Sequence, residues 1–333
     1  MNESTEHLNE PSEQQGTGKR PRTTATAVLL LSYGGPNSLD DVAAYLHNIR
    51  GGRPTPPELV EDVKRRYALI GGRSPLLERT QAQARALQAW LDEHLGPGYH
   101  TYVGMRNWHP FVHEVLPDIV ASGAKRLIAI PMSPQYSRVS VELYRRALEE
   151  ALAQVEAPLE VHFVERWGDH PGFVAAYAEK VHHALAHKFP PDAQNVAVVF
   201  TAHSIPLPLV EQGDPYPHEV AESARLIAEA VGLDRWHVAY QSAGARQVPW
   251  LGPDVNQILE HLAAEGTKHV LIVPVGFVAD HVEILYDIDI EMREQTTRLG
   301  VHLERTDSLN DSPLLIAALG QMVVDSLNSQ SAP

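Results

Sequence analysis

The feature that most limits how this chain can fold is a long-period repeat of strand, loop and helix. GAKRLIAIPMSPQYS, from Gly123, corresponds to GTKHVLIVPVGFVAD, from Gly266. Each follows a helical pattern that opens with a proline, Pro110 before FVHEVLPDIVAS and Pro253 before DVNQILEHLAAE. A second correspondence joins the apolar run 25–31, ending in Ser32-Tyr33-Gly34-Gly35-Pro36, with the run 196–200, ending in Thr201-Ala202-His203-Ser204-Ile205-Pro206. Aligning the two prolines sets Tyr33 opposite His203. Similarity in one order at a long period indicates a duplicated α/β domain, not a short-repeat solenoid. Apolar strands alternating with helical patterns predict parallel sheets buried on both faces. The expected fold is therefore α/β, with two similar Rossmann-like domains, each a parallel sheet flanked by helices, and a cleft between them.

The length of 333 residues suits two domains, each with its own core. Residues 1–23 are polar and read as a disordered tail. Residues 24–164 together with a C-terminal helix at 312–328 form the expected first domain, and residues 165–311 the second. A net charge of -15 disfavours nucleic acid as a partner. No apolar run approaches the roughly 18 residues of a membrane span. The chain has no cysteine, which fits a reducing cytoplasm and excludes both thiolate zinc sites and a cysteine-ligated iron–sulfur cluster. Gly34-Gly35 matches neither the G-x-G-x-x-G of a dinucleotide fold nor the G-x-x-x-x-G-K of a phosphate loop, so a nucleotide ligand is rejected.

Two strand ends carry the chemistry. After the strand 270–275, Asp280 is a plausible N-cap for a helix beginning at His281, and residues three to four apart on that helix share a face. Glu283, Asp287 and Glu291 then form a ladder of oxygen ligands suited to a hard divalent cation. The same residues fit a D-x-x-E capping box or a solvated helix face, and this stretch alone leaves those readings open. Its position at the carboxyl end of a strand, where open α/β sheets bind ligands, favours a site. His203 also follows a strand directly. If it meets Glu283 on one cleft wall with Tyr33 on the other, the trio can hold a metal ion, or His203 can act as a base near neutral pH. Arg50, Arg53, Lys64, Arg65, Arg66 and Arg73 make a locally basic segment, either a solvated face or a docking edge for an anion.

At this point the residues carry a resemblance. IGGRSPL from Ile70, TAHSIP from Thr201, GDPYPHEV from Gly213, YQSAGARQVPWLGPD from Tyr240 and PVGFVADHVEILYDID from Pro274 resemble, in order, the motifs of the ferrochelatases, lyases that insert Fe(II) into a porphyrin. The resemblance implies a chelatase-type tandem repeat in which His203 and Glu283 flank the insertion site. It also implies that Asp287 and Glu291 continue as an outer metal path, where a further divalent cation is accommodated. Tyr33 stands where the branch acting on coproporphyrin III has an iron-ligating tyrosine, and the segment 49–74 lacks the longer apolar lip of the membrane-associated branch. By position Arg50, Arg66, Tyr67, Ser74 and Tyr144 resemble residues that contact the porphyrin and its propionates. Tyr136 and Trp250 are further aromatic candidates, with Trp250 equally suited to packing between domains. Asn107, where some relatives place a histidine, receives no metal role.

The implied activity is insertion of Fe(II) into coproporphyrin III in haem biosynthesis. Fe(II) is then a substrate, no cofactor is permanently bound, and a cytoplasmic monomer meets the next haem-pathway enzyme transiently. Alternatives are the protoporphyrin IX enzyme, a chelatase loading cobalt or nickel into another tetrapyrrole, and a non-catalytic porphyrin or haem carrier. The carboxylate ladder favours an enzyme over a carrier.

Overall fold

The computed structural model describes residues 25–155, 158–193, 195–244 and 248–328. The expected N-terminal tail lies outside them. The first sheet is built from β1 (Thr26–Ser32), β2 (Tyr99–Met105), β3 (Arg126–Pro131) and β4 (Glu160–Phe163), in the order β2-β1-β3-β4. The second uses β5 (Ala197–His203), β6 (Trp236–Gln241), β7 (His269–Val273) and β8 (His302–Arg305), in the order β6-β5-β7-β8. Every pairing is parallel. The two sheets are the same object twice, with β1 matching β5 and β3 matching β7, as the repeat in the sequence predicts. In both copies the proline before the helix follows a cis peptide bond, at His109-Pro110 and Gly252-Pro253.

The helices are α1 (Val42–Ile49), α2 (Pro57–Leu69), α3 (Leu76–His94), α4 (Val112–Ala121), α5 (Val141–Leu152), α6 (Pro171–His187), α7 (Leu207–Glu211), α8 (Tyr216–Val231) and α9 (Val255–Ala264). They are followed by α10 (Val282–Leu285), a π-helix (Asp287–Met292), α11 (Arg293–Arg298) and α12 (Pro313–Asn328). Alternate residues of β1 enter different cores. Ala27, Leu29 and Leu31 pack on α4 and α5, while Val28 and Leu30 face inward. In the second sheet Val199 packs with α9, α10 and the π-helix, and Val198, Phe200 and Ala202 face inward.

The two inward faces meet one core. Val28, Leu30, Val198 and Phe200 belong to a single cluster that α3, α6, α8 and α12 fill. A chain of this length suits a separate core for each domain, and each sheet does have its own outer layer, but the inner layer is common to both. The helices that end the two halves are exchanged: α6, after β4, packs on α8, and α12, after β8, packs on α3 and α6. An apolar face left open on each half is thereby covered by the other, which burial of apolar surface favours.

Polar side chains stitch the halves beside the cleft. Gln83 donates to the carbonyls of Asn310 at 2.9 Å and Val278 at 3.4 Å, and Gln135 donates to Ser223 at 3.0 Å. The buried Tyr177 hydroxyl meets the carbonyls of Pro274, at 2.8 Å, and Phe277. These bonds matter because each satisfies a buried group. They also fix the turn that leads from β7 to the candidate site.

Candidate active site

The carboxyl ends of the central strands meet at the cleft. Tyr33 follows β1 and His203 ends β5, each beside the strand where its sheet order reverses, the position at which open α/β sheets bind ligands. Gly276 brings the exit of β7 against β5. A Cβ there would lie 2.7 Å from the Ala202 Cβ and 2.9 Å from its Cα, so only glycine allows this approach.

His203 is held by the backbone of the next residue. Its ring Nδ1 donates to the Ser204 carbonyl, which leaves Nε2 facing Glu283 Oε1 at 3.8 Å. A second imidazole stands on the other side of that carboxylate, with His281 Nε2 3.8 Å from Glu283 Oε2. His281 Nδ1 is 3.0 Å from the Ala279 carbonyl, to which it donates. Glu283 thus lies between two imidazoles, and its Oε2 is buried without a hydrogen-bond partner. Burial pushes the Glu283 carboxyl up, but His203 and His281 together hold it below the ordinary range. Burial pushes His281 down, and the Glu283 carboxylate more than reverses this.

The helix itself differs from the expected one. Asp280 does not cap it. Its carboxylate accepts from Ser308 and Asn310, both at 2.8 Å, and pairs with Arg79 and Arg305 at 3.6 and 3.7 Å. His281 is the extended N-cap residue and α10 begins at Val282, one position later than expected. The capping-box reading therefore has no partner for Glu283 to cap. After one turn the helix widens into the π-helix, a distortion often found at functional sites, so the carboxylates do not ride on a regular α-helix. Glu283 and Asp287 still come within each other's field. Asp287 is buried, whereas Glu291 is exposed. Among the described residues no three His, Asp or Glu side chains gather as a metal cage.

Asp287 is gripped from both halves, by Ser242 Oγ at 2.5 Å and by Arg66 NH1 at 3.8 Å. Burial raises its carboxyl above the ordinary value. Arg66 also pairs with Asp62 at 3.1 Å and lies over the Tyr286 ring at 5.0 Å. The remaining basic segment divides. Lys64, Arg65 and Arg73 pair with Glu61, Asp62 and Glu78, as a solvated face would. Arg50 has no carboxylate partner among the described residues, and its buried Nε lacks any acceptor.

Tyr67 and Ser74 are buried side by side against Gly35. A Cβ at that glycine would meet Ser74 Oγ at 2.5 Å and the Tyr67 hydroxyl at 3.6 Å. Tyr67, Tyr45 and Trp108 form a small apolar cluster of α1 and α2, and Val282 packs on it. Tyr33 is 39% exposed, unusually open for a large ring, while Tyr144 is buried. Burial raises the phenols of Tyr45, Tyr67, Tyr144 and Tyr216, and the negative field of Glu283 raises all four further. The field of that one carboxylate therefore reaches tyrosines of both halves. Trp250 lies 6.4 Å from His203, ring centre to ring centre, so it stands at the site. Tyr136 lies under Arg166 at 5.8 Å. Asn107 is buried, and its Oδ1 accepts from Arg106 Nε at 3.4 Å.

Sequence reasoning missed several residues here. Arg106 sits between the rings of Tyr33, at 4.9 Å, and Tyr144, at 5.4 Å, with a buried NH1 that has no acceptor. Gln241 donates to the Glu283 carbonyl at 2.9 Å, and Ser242 holds Asp287. Arg106 and Ser242 follow β2 and β6 directly, so the strand-end rule that found Tyr33 and His203 would have found them too. His281 lies two residues before Glu283, inside a stretch already singled out.

The ferrochelatase family model matches residues 25–327. A ferrochelatase of Herpetosiphon aurantiacus is 43% identical over 299 residues, covering 90% of this chain and 98% of that protein. A coproporphyrin III ferrochelatase of Geobacillus thermodenitrificans is 36% identical over 302 residues, covering 90% and 95%. Among solved structures, SirB from Bacillus subtilis with Fe3+ has a TM-score of 0.59 at 13% identity, covering 92% of this chain and 97% of its own, a likeness of fold. With the duplicated sheet, the cleft and matches over nearly the whole length in hand, the chain belongs to the ferrochelatase family.

Proposed function

We propose that this chain inserts Fe(II) into coproporphyrin III, with the chemistry centred on His203 and Glu283. Insertion of metal into a porphyrin is the activity of the family, and the substrate branch and residue roles are our reading. The observation that carries the roles is the His203–Glu283 pair at 3.8 Å, with His281 on the other side of the same carboxylate. A free-base porphyrin must release two pyrrole N–H protons as the cation reaches its four nitrogens. His203 Nε2 is free to take one, because Nδ1 is committed to the Ser204 carbonyl, and Glu283, whose Oε2 has no hydrogen-bond partner, relays the other outward. Glu283 stabilises the arriving charge and the imidazolium that forms.

Asp287 and Glu291 extend this path outward. They are strung along the helix and not gathered in a cage, which suits an ion in passage, since imidazole and carboxylate hold Fe(II) without the thiolates that would trap it. Arg50, with its unsatisfied Nε, and Arg66 suit propionates, while Tyr67, Ser74 and Tyr144 line the ring. Tyr33, open to solvent at the end of β1, would hold the inserted iron through its phenol oxygen. The coproporphyrin assignment rests on Tyr33 and on relatives that bear that name.

The test is anaerobic Fe(II) insertion followed by absorbance, with coproporphyrin III and protoporphyrin IX in parallel, for wild type and His203→Ala. The expected result is turnover of coproporphyrin III that His203→Ala lowers about 100-fold or more while porphyrin binding persists. Turnover of protoporphyrin IX alone would overturn the branch. Tight ring binding without insertion by the wild type would make the protein a carrier.

A further inference from the structure

Tyr33 has a fixed backbone and an open side chain. The exit of β2 clips that backbone: Arg106 N–H donates to the Ser32 carbonyl at 2.9 Å, and Asn107 N–H donates to the Tyr33 carbonyl at 3.0 Å. The ring itself stands open to solvent. An exposed side chain changes rotamer within nanoseconds unless something holds it.

What holds this ring is Arg106. Its guanidinium carbon lies 4.9 Å from the Tyr33 ring centre and 5.4 Å from that of Tyr144, which is buried. The guanidinium therefore bridges a fixed ring and an open one. Its side-chain partners among the described residues are these two rings and the amide of Asn107, and none is a carboxylate. The buried NH1 has no acceptor at all. A permanent positive charge is thus kept beside Tyr33 with no paired counter-ion. Its attraction to the ring grows once the ring carries negative charge. Ligation of iron creates that charge: the phenol O–H bond breaks, the proton passes to water, and the O–Fe bond forms.

We propose that Arg106 is a positioning residue for Tyr33: it holds the open ring against Tyr144 and balances the charge that the phenol oxygen takes on when it ligates the inserted iron. This rests on the reading of Tyr33 as the iron ligand. A porphyrin propionate is the other acceptor that would satisfy NH1, and the two roles act at different stages. A propionate contact strengthens ring binding with or without metal, whereas a partner of Tyr33 acts only when iron is present.

The experiment compares wild type with Tyr33→Phe, Arg106→Lys, and the neutral variants Arg106→Leu and Arg106→Gln, of which one that folds suffices. Free-base coproporphyrin III and ferric coproporphyrin III are titrated separately, and the phenolate-to-iron charge-transfer band of the ferric complex is recorded. The wild type is expected to show the band and Tyr33→Phe to lose it. The neutral variants are expected to weaken the band and the binding of the ferric complex about tenfold, with free-base affinity within about twofold. Arg106→Lys, which keeps a charge beside the ring, recovers most of both. In the Tyr33→Phe background the neutral variants add no further loss, because the partner is gone. An unchanged band and ferric affinity in the neutral variants overturns the proposal. An equal loss for the free base also overturns it and assigns Arg106 to a propionate. A wild type without the band removes Tyr33 as the ligand and the proposal with it. A wild type that shows the band but inserts no Fe(II) refutes the proposed function instead, and the ferric titrations still decide the role of Arg106.

Discussion

Replacing Glu283 with glutamine separates electrostatics from packing, because the side chain keeps its shape and loses its charge. In the wild type, burial lowers His281, and Glu283 at 3.8 Å reverses the shift. Glu283→Gln removes the reversing charge and leaves the burial. A unit charge at 3.8 Å is worth about 4 kcal/mol in an effective dielectric near 20, most of it offset by the desolvation of both groups. The net effect on folding at pH 6 is therefore small, about 2 kcal/mol or less, while the titration of His281 moves plainly downward.

Linkage fixes the sign. His281 has a folded pKa above its unfolded value near 6.5, so its contribution is complete below about pH 6.5 and is lost as pH rises through the folded value. Glu283 is held low, so its contribution is complete above about pH 4.3 and is lost as pH falls through the folded value. The pair is therefore most stabilising between those limits, and the variant flattens both arms. Histidine NMR titration of wild type and Glu283→Gln, with urea unfolding at several pH values, measures each. A His281 that titrates no lower in the variant would refute the reasoning, since it would mean the two groups do not interact. Turnover of the variant is expected to fall about 100-fold or more even where folding is intact.

Two structural substitutions complete the test of the cleft. Gly35→Ala drives a Cβ to 2.5 Å from Ser74 Oγ and displaces the wall formed with Tyr67. It should cost about 1–3 kcal/mol in urea unfolding and weaken porphyrin binding, and wild-type affinity would remove Ser74 from the site. Tyr177→Phe strips the buried donor from the carbonyls of Pro274 and Phe277, at a cost of about 1–3 kcal/mol in the same assay. A loss under about 0.5 kcal/mol would show that the turn before Glu283 is held by other contacts.

The repeat, the parallel sheets and the strand ends at which Tyr33 and His203 stand are all legible in the chain's pattern of residues. These follow from local pattern: apolar runs of strand length, helical spacing and the proline positions recur in both halves. The ladder Glu283, Asp287 and Glu291 was legible as spacing, and its family resemblance was legible in motifs. That Asp280 is bound to Ser308 and Asn310 and not to a helix end emerges from the folded chain, because those residues are remote in sequence. The folded chain alone reveals the π-helix, at whose start Gln241 and Ser242, remote in sequence, hold the Glu283 carbonyl and the Asp287 carboxylate. The shared inner core and the exchanged α6 and α12 are likewise tertiary. Periodicity says which face of a helix is apolar, but which neighbour buries that face is settled by the packing of the whole chain.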